Sequence, residues 1–198
     1  MGLALPYIYG QTPLDADEAE GLLIRTISTR GELDEFEQQN IEEAMLWALN
    51  RSLKAEAILT EAFVREIHRR MFGNVWAWAG NFRKTNKNIG VDKWQVPVTL
   101  RCLLDDTKLW LADGIYPSDE LAVRFKHRLV SIHCFPNGNG RHSRLMADII
   151  VEKIFKLPAF TWGGFDLAQQ GYARTAYLRA IKAADSGSVE PLVTFARS

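Results

Sequence analysis

The sequence predicts a mainly α-helical protein with one small β-hairpin. Three stretches predict helices, because their apolar residues recur every three or four positions: residues 60–71, 119–132 and 141–155. Thr60 stands at the start of the first stretch, where its hydroxyl can cap a helix. Glycine, asparagine and proline interrupt the helical period over residues 80–97 (GNFRKTNKNIGVDKWQVP), and this segment predicts the hairpin.

The N-terminal part is less regular than the rest of the chain. Residues 1–34 mix glycine and proline with acidic residues and predict an irregular arm, with at most a short helix over residues 15–24. A helical pattern begins at Glu35. The face of this helix that we expect to be buried carries Ile41, Met45, Ala48 and Leu49. We therefore predict an N-terminal arm, residues 1–34, and a helical domain, residues 35–198.

Composition excludes several classes of protein. The chain has 198 residues, of which 47% are hydrophobic, so it can bury one substantial core. Its 24 basic residues balance 24 acidic ones, which argues against direct nucleic-acid binding. No apolar run is long enough to span a membrane. Cys102 and Cys134 form neither a disulfide framework nor a zinc pattern, and we expect a cytoplasmic protein.

The most informative segment is HCFPNGNGRHSR, which joins two of the predicted helices. Gly138 and Gly140 allow backbone N–H groups to converge on an anion, and the N-terminus of the following helix attracts negative charge. Arg141 and Arg144 add charge-assisted donors one turn apart. His133 stands where the proton of an attacking nucleophile would go. The segment predicts a polyphosphate site with a nearby base.

This segment resembles H-x-F-x-x-G-N-G-R-x-x-R, the signature of the Fic (filamentation induced by cAMP) family. The matching residues are His133, Phe135, Gly138, Asn139, Gly140, Arg141 and Arg144. Similarity to the family extends over most of residues 59–195. The segments TPLDADEAEGL and FPNGNGRH are most similar to the subfamily called mobile mystery protein B, whose genes tend to accompany a helix-turn-helix partner.

The resemblance implies a Fic-type helical bundle that transfers AMP from ATP to a Tyr, Thr or Ser hydroxyl of a target protein. His133 is then the general base, while Arg141 neutralises the α- and β-phosphates and Arg144 the outer phosphate. Asn139 is expected to add a side-chain donor to the anion site. Tyr177 lies where family members shape the base pocket, although a core position is equally compatible with its spacing. Transfer of a phosphoryl group or another nucleotide moiety is the enzymatic alternative.

One position departs from the family pattern. Many active members carry Asp or Glu immediately before the first glycine, where it helps to hold Mg²⁺, and this chain has Asn137. An amide oxygen can bind magnesium but contributes no charge. The competing hypothesis is therefore a catalytically weakened, nucleotide-binding protein that acts as a toxin-type partner.

The resemblance also implies two regulatory or docking features. The predicted hairpin would be the flap that aligns a target segment by strand addition, with Lys87 and Ile89 in contact with it; the alternative is a surface hairpin without a partner. Family members can silence themselves with a helix of the form S/T-x-x-x-E-G/N, whose Glu pairs with the second motif arginine. The nearest match is Ser28…Glu32, so we expect Glu32 to pair with Arg144.

Overall fold

A computed structural model describes residues 15–164 and 171–198. The first 14 residues of the predicted arm lie outside the described residues. The α-helices of the described residues are α1 (Ala16–Ala19), α2 (Arg30–Leu49), α3 (Ala55–Ile58), α4 (Glu61–Phe72), α5 (Val96–Ala112), α6 (Ser118–Ile132), α7 (Asn139–Lys153), α8 (Tyr172–Asp185) and α9 (Glu190–Ala196). Short 3₁₀ helices cover Lys93–Gln95 and Trp162–Gly164. The predominantly helical fold is confirmed.

Helices α6 and α7 pack along each other at the centre of the fold. Helix α4 packs against α2 and α7, α5 packs against α6, and α9 packs against α6 and α8. The shared core includes the buried side chains Phe125, Leu129, Met146 and Ile150. This packing fixes both helices that flank the HCFPNGNGRHSR segment. Across the two described ranges, we find no helix with the length and apolar character needed to cross a membrane.

Local sequence signals place α4, α6 and α7 correctly. Thr60 caps α4, since its hydroxyl accepts a hydrogen bond from the Phe63 N–H at 3.1 Å. Helix α7 begins at Asn139, two residues before the predicted start, because Gly138 is its N-cap and Asn139 and Gly140 are already helical. The apolar spacing of each segment therefore predicted which helix face enters the core.

Helix α2 differs from the prediction in its start and in its buried face. It begins at Arg30, so the predicted boundary between residues 34 and 35 falls inside a continuous helix. Thr29 caps it, with Glu32 completing a capping box. Met45 is 38% exposed, and the buried residues are Leu33, Glu37, Asn40, Ala44 and Ala48. The buried face thus contains two polar residues, which periodicity of apolar residues alone does not reveal.

The predicted hairpin at residues 80–97 is wrong, because no β-strand forms within the described residues and α5 already begins at Val96. Residues 80–92, which we call the flap loop, run instead through turns and bends. The Arg83 guanidinium accounts for the difference, because it donates to the carbonyls of Thr85 and Val91. These carbonyls are therefore hydrogen-bonded without a partner strand.

Helix α5 was not predicted. Pro97 looked like an interruption, but it occupies the first turn of α5, where a missing N–H costs no intrahelical hydrogen bond. The helix buries one face through Val96, Leu100, Leu103, Leu104 and Thr107. This face packs against α6, so α5 supports the helix that ends at the candidate site.

Candidate active site

The candidate site lies where α6 ends and α7 begins. His133 follows α6 in a left-handed conformation, with φ 58° and ψ 61°. Gly138 precedes α7 with φ 77°, and a Cβ atom there would lie 2.5 Å from the Phe72 ring. Glycine is therefore required at position 138 both for its backbone angle and for the space available. After His133, the five residues 134–138 complete the connection to α7 in a tight loop.

Phe135 and Asn139 hold this loop in place. Phe135 is fully buried, and its ring stacks on the His68 ring with centroids 3.7 Å apart. The Asn139 side chain accepts a hydrogen bond from the Phe135 N–H at 2.9 Å and donates to its carbonyl at 2.8 Å. Both polar atoms of Asn139 are used inside the loop. These bonds shape the loop, but they occupy one of the two amide N–H groups of Asn139, so its role as a donor to an anion stays a prediction.

The N-terminus of α7 has the features of an anion site. The first N–H groups of a helix have no intrahelical acceptor, and its dipole attracts negative charge. Gly140 lies in this first turn, and no heavy atom would come within 4 Å of a Cβ placed on it, so there is free space beside this residue. Arg141 and Arg144 follow on the same helix. The structure thus brings Gly138, Gly140 and both arginines to one helix end, as the sequence predicts.

Arg141 is engaged by an acidic residue of α2. Its Nη1 lies 2.6 Å from the Glu37 Oε2, while the Glu37 Oε1 accepts a hydrogen bond from the Trp76 indole at 2.6 Å. The Glu37 side chain is 6% exposed and the Arg141 side chain 25% exposed. A carboxylate therefore neutralises one of the two motif arginines in this conformation.

Arg144 lies near the Tyr177 ring and a second cation, Lys126. Its guanidinium carbon is 5.6 Å from the centre of the Tyr177 ring, and the Lys126 ammonium is 4.6 Å from the same centre. Lys126 is fully buried, and burial lowers its pKa. Burial alone would raise the pKa of Tyr177, but the charges of Lys126 and Arg144 bring it below its usual value. Two cations therefore converge on one phenol beside the α7 N-terminal half.

His133 is held as a neutral imidazole. Burial, together with the nearby positive charges of Arg83 and Lys87, lowers its pKa to about 4, against a backbone hydrogen bond with Val130 that raises it. At neutral pH the ring is unprotonated and can accept a proton. Cys134 beside it does not offer a competing nucleophile, because burial raises the pKa of its thiol to about 12.

The two predicted flap contacts differ in exposure. Ile89 is 50% exposed on the flap loop and is available to another chain. The Lys87 side chain is only 4% exposed, because its ammonium pairs with Asp15 at 3.0 Å and Glu18 at 2.5 Å. A contact between Lys87 and a target therefore stays a prediction, since its ammonium is engaged in this conformation. Lys87 instead fastens the start of the described chain to the flap loop.

Glu32 does not contact Arg144. Its carboxylate accepts hydrogen bonds from the backbone N–H groups of Ser28 and Thr29, at 2.8 and 3.0 Å. These bonds, the Ser28 contact first, hold the pKa of Glu32 below its usual value. The predicted pairing is not formed in this structure, because Glu32 caps its own helix, and the acid that contacts a motif arginine is Glu37.

The described residues contain no ready-made metal centre. No group of three or more His, Cys, Asp or Glu side chains in residues 15–164 and 171–198 is arranged to hold a metal ion. The Asn137 Oδ1 already accepts a hydrogen bond from the Gly138 N–H at 2.6 Å. These donors do not by themselves fit a Mg²⁺ ion, which prefers several oxygen ligands in octahedral geometry.

Comparison with known proteins identifies the domain that this geometry belongs to. Residues 58–151 match the Fic/DOC family. The chain carries a Fic/DOC family domain. Its curated relatives include the protein adenylyltransferase Fic of Drosophila grimshawi, 29% identical over 152 residues, and that of Drosophila melanogaster, 28% identical. Each alignment covers 74% of this chain but only 30% and 29% of the respective relative, so this chain spans less than a third of their length.

Solved Fic structures have the same fold. Fic-1 of Caenorhabditis elegans superposes with a TM-score of 0.67 at 26% identity, over 90% of this chain and 51% of that one. The Bartonella tribocorum effector BepC, solved with bound AMPPNP, gives a TM-score of 0.65 at 18% identity, over 92% and 97% of the two chains. These matches identify the Fic fold and not the narrower mobile mystery protein B subfamily.

Sequence reasoning missed three residues that shape this Fic/DOC site. Glu37 lies on the same helix face as Leu33, Ala44 and Ala48, and this spacing could have marked it as a buried acid. Lys126 falls within the apolar stripe of α6, which is an equally readable signal. Arg83 carried no such signal, because its contacts depend on how the flap loop folds.

Proposed function

We propose that the protein is a protein adenylyltransferase, which moves AMP from ATP to a hydroxyl side chain of a target protein. The observation that supports this most directly is the pairing of a neutral, buried His133 with the N-terminal part of α7, which carries Arg141 and Arg144. The curated relatives named protein adenylyltransferase agree with it. The two free cysteines suit a reducing cytoplasm.

The chemistry of the proposed reaction assigns a task to each group. The target hydroxyl oxygen attacks the α-phosphorus of ATP, and its proton passes to the imidazole of His133. The bond from the α-phosphorus to the bridging oxygen breaks, and pyrophosphate leaves with the additional negative charge. Arg141 and Arg144 stabilise that charge, together with the N–H groups at the start of α7. The approach of the anionic phosphates also raises the pKa of His133 and makes it a better base.

Other parts of the proposal concern ligands and partners. A Mg²⁺ ion, if used, would be held mainly by phosphate oxygens, since Asn137 supplies no charge. Tyr177 would border the nucleotide through its contact with Arg144. A target segment would lie along the flap loop, where Ile89 is exposed. Membership of the mobile mystery protein B subfamily and a helix-turn-helix partner remain proposals that rest on two short sequence segments, and co-purification of the partner would test them.

Labelling with two forms of ATP tests the proposed reaction. Label at the α-phosphorus should appear on protein and label at the γ-phosphorus should not. His133→Ala should lower transfer by at least about a hundredfold, the usual contribution of a general base, while leaving ATP binding intact. His127→Ala is the matched control, because this histidine is on the same helix and pairs with Asp185 away from the loop. Transfer of the γ-label would indicate phosphorylation instead.

Asn137 favours one alternative, a nucleotide-binding protein with little transferase activity. In that case ATP binds with measurable affinity, but neither label reaches any protein in a lysate. Asn137→Asp then restores labelling if the missing carboxylate is the reason. Continued inactivity of Asn137→Asp together with normal ATP binding would leave the binding function as the better description.

A further inference from the structure

Arg83 has an unusual set of contacts for a buried cation. The residue is 3% exposed, and its guanidinium donates to three backbone carbonyls in two segments. The Nε donates to the His133 carbonyl at 2.6 Å, the Nη1 to Thr85 at 2.9 Å, and the Nη2 to Val91. No carboxylate of residues 15–164 or 171–198 forms an ion pair with it. The charge is therefore stabilised by carbonyl dipoles, which come from the flap loop and from His133.

These contacts fix a backbone conformation that is otherwise unfavourable. A residue other than glycine rarely adopts the left-handed region, because its Cβ crowds the following carbonyl. His133 does so with φ 58°, and Arg83 binds the carbonyl that this conformation presents. The Arg83 N–H also donates to the Cys134 carbonyl at 3.0 Å. Arg83 thus binds two successive backbone carbonyls, those of His133 and Cys134, directly after the His133 Cα.

Gly90 of the flap loop supports the same residue from another direction. Its φ is 100°, and a Cβ at this position would lie 2.6 Å from the His133 Cβ and 3.1 Å from the Arg83 Nη2. The next residue, Val91, donates its N–H to the Ile132 carbonyl at 3.4 Å. His133 is therefore enclosed by the flap loop and by the guanidinium that organises this loop.

We propose that Arg83 is a positioning residue for the general base: it ties the backbone of His133 to the flap loop, so that the imidazole is aligned only when that loop is folded. This inference rests on the proposed function for the part that concerns catalysis. It implies that a target segment seated on the flap loop also rigidifies the base. Binding of the correct target and alignment of His133 are then one event.

Arg83 also affects the pKa of His133 through its charge. After burial, the charge of Arg83 is the largest influence that keeps the pKa of His133 low, and Lys87 is the other cation acting on it. Removal of the Arg83 charge should move the pKa of His133 upward from about 4 towards its ordinary value near 6.5. A lysine at position 83 keeps the charge but cannot reach three carbonyls at once.

The test uses the full chain with Arg83→Met and Arg83→Lys. His133 is titrated by NMR of its ring, and α-label transfer and ATP affinity are measured in parallel. We expect Arg83→Met to lower transfer about tenfold to a hundredfold with little change in ATP affinity, and to raise the pKa of His133. Arg83→Lys should keep that pKa low and retain part of the rate. Arg65→Met is the control, because Arg65 donates to the Gly80 carbonyl at 2.9 Å without touching His133.

Two results would overturn the inference. One is an unchanged His133 titration in Arg83→Met, and the other is a transfer rate equal to that of Arg65→Met. If Arg83→Met does not fold, Gly90→Ala disturbs the same contact from the flap side and should lower transfer while ATP still binds. The NMR titration requires no transferase activity, so a failed inference can be distinguished from a failed proposal of adenylyl transfer.

Discussion

Removal of the Glu37 charge should strengthen nucleotide binding. In the structure, Glu37 neutralises Arg141. To bind a phosphate, the Arg141 guanidinium must leave Glu37 or divide its N–H donors between Glu37 and the phosphate. Glu37→Gln keeps the acceptor for the Trp76 indole and removes the attraction to Arg141. We therefore expect ATP to bind this variant more tightly and α-label transfer to increase.

The geometry gives the size of the effect. The Glu37–Arg141 contact is short, at 2.6 Å, and the carboxylate is almost fully enclosed. Hydrogen bonds between charged groups contribute about 1.5–3 kcal/mol. The guanidinium is one quarter exposed, so solvent screens part of this energy, and the lower end applies. Since 1.4 kcal/mol corresponds to a factor of ten, the expected gain in ATP affinity is about tenfold.

Isothermal titration calorimetry with ATP measures this gain. Glu61→Gln is the matched control, because it removes the same charge from an ion pair with Arg65 whose side chains are both more than one third exposed. A folded Glu37→Gln protein that binds ATP equally or more weakly would refute the reasoning. In that event, Glu37 would hold Arg141 in its binding orientation instead of competing with the phosphate.

Two further predictions concern stability. Burial lowers the pKa of His142 to about 4, while the unfolded residue titrates near 6.5, so its contribution to folding stability should be present above pH 6.5 and fall progressively towards pH 4; because burial raises the pKa of Asp148 to about 7 and gives the opposite dependence, thermal unfolding from pH 7 to 4 is compared between wild type and His142→Gln, and a pH-independent difference would contradict the prediction. Lys126→Met should raise the free energy of unfolding by about 1–3 kcal/mol, because it removes a fully buried charge; a lower urea midpoint would instead mean that the contact with Tyr177 stabilises the ammonium.

Local sequence patterns predicted the part of the site that local physics determines. Gly138 directly precedes α7 and Gly140 lies in its first turn, so the loop and the start of α7 follow from short-range steric and hydrogen-bonding rules. Phe135 anchors the loop in the core, as its apolar side chain suggests. The motif therefore predicted both the position of His133 and the helix that carries the arginines.

Contacts between distant segments could not be predicted in this way. Glu37 and Arg141 are 104 positions apart, and Lys87 lies 72 positions from Asp15. Each pair depends on the packing of separate helices or loops, and the many acids of this chain offer equally plausible partners. The same reason explains why a spacing match selected Glu32, although its carboxylate is satisfied by its own helix cap.

The two ends of the loop at residues 134–138 are tied to different parts of the molecule. His133 at one end is held to the flap loop by Arg83, whereas Arg141, just beyond the other end, is held to α2 by Glu37. A change in α2 therefore acts first on the charge available to the nucleotide, and a change in the flap loop acts first on the base. Because the two ties share no side chain, affinity for the nucleotide and alignment of the base can be altered separately. The electrostatic state of the anion site and the geometry of proton transfer thus respond to different partners on opposite sides of a single short loop.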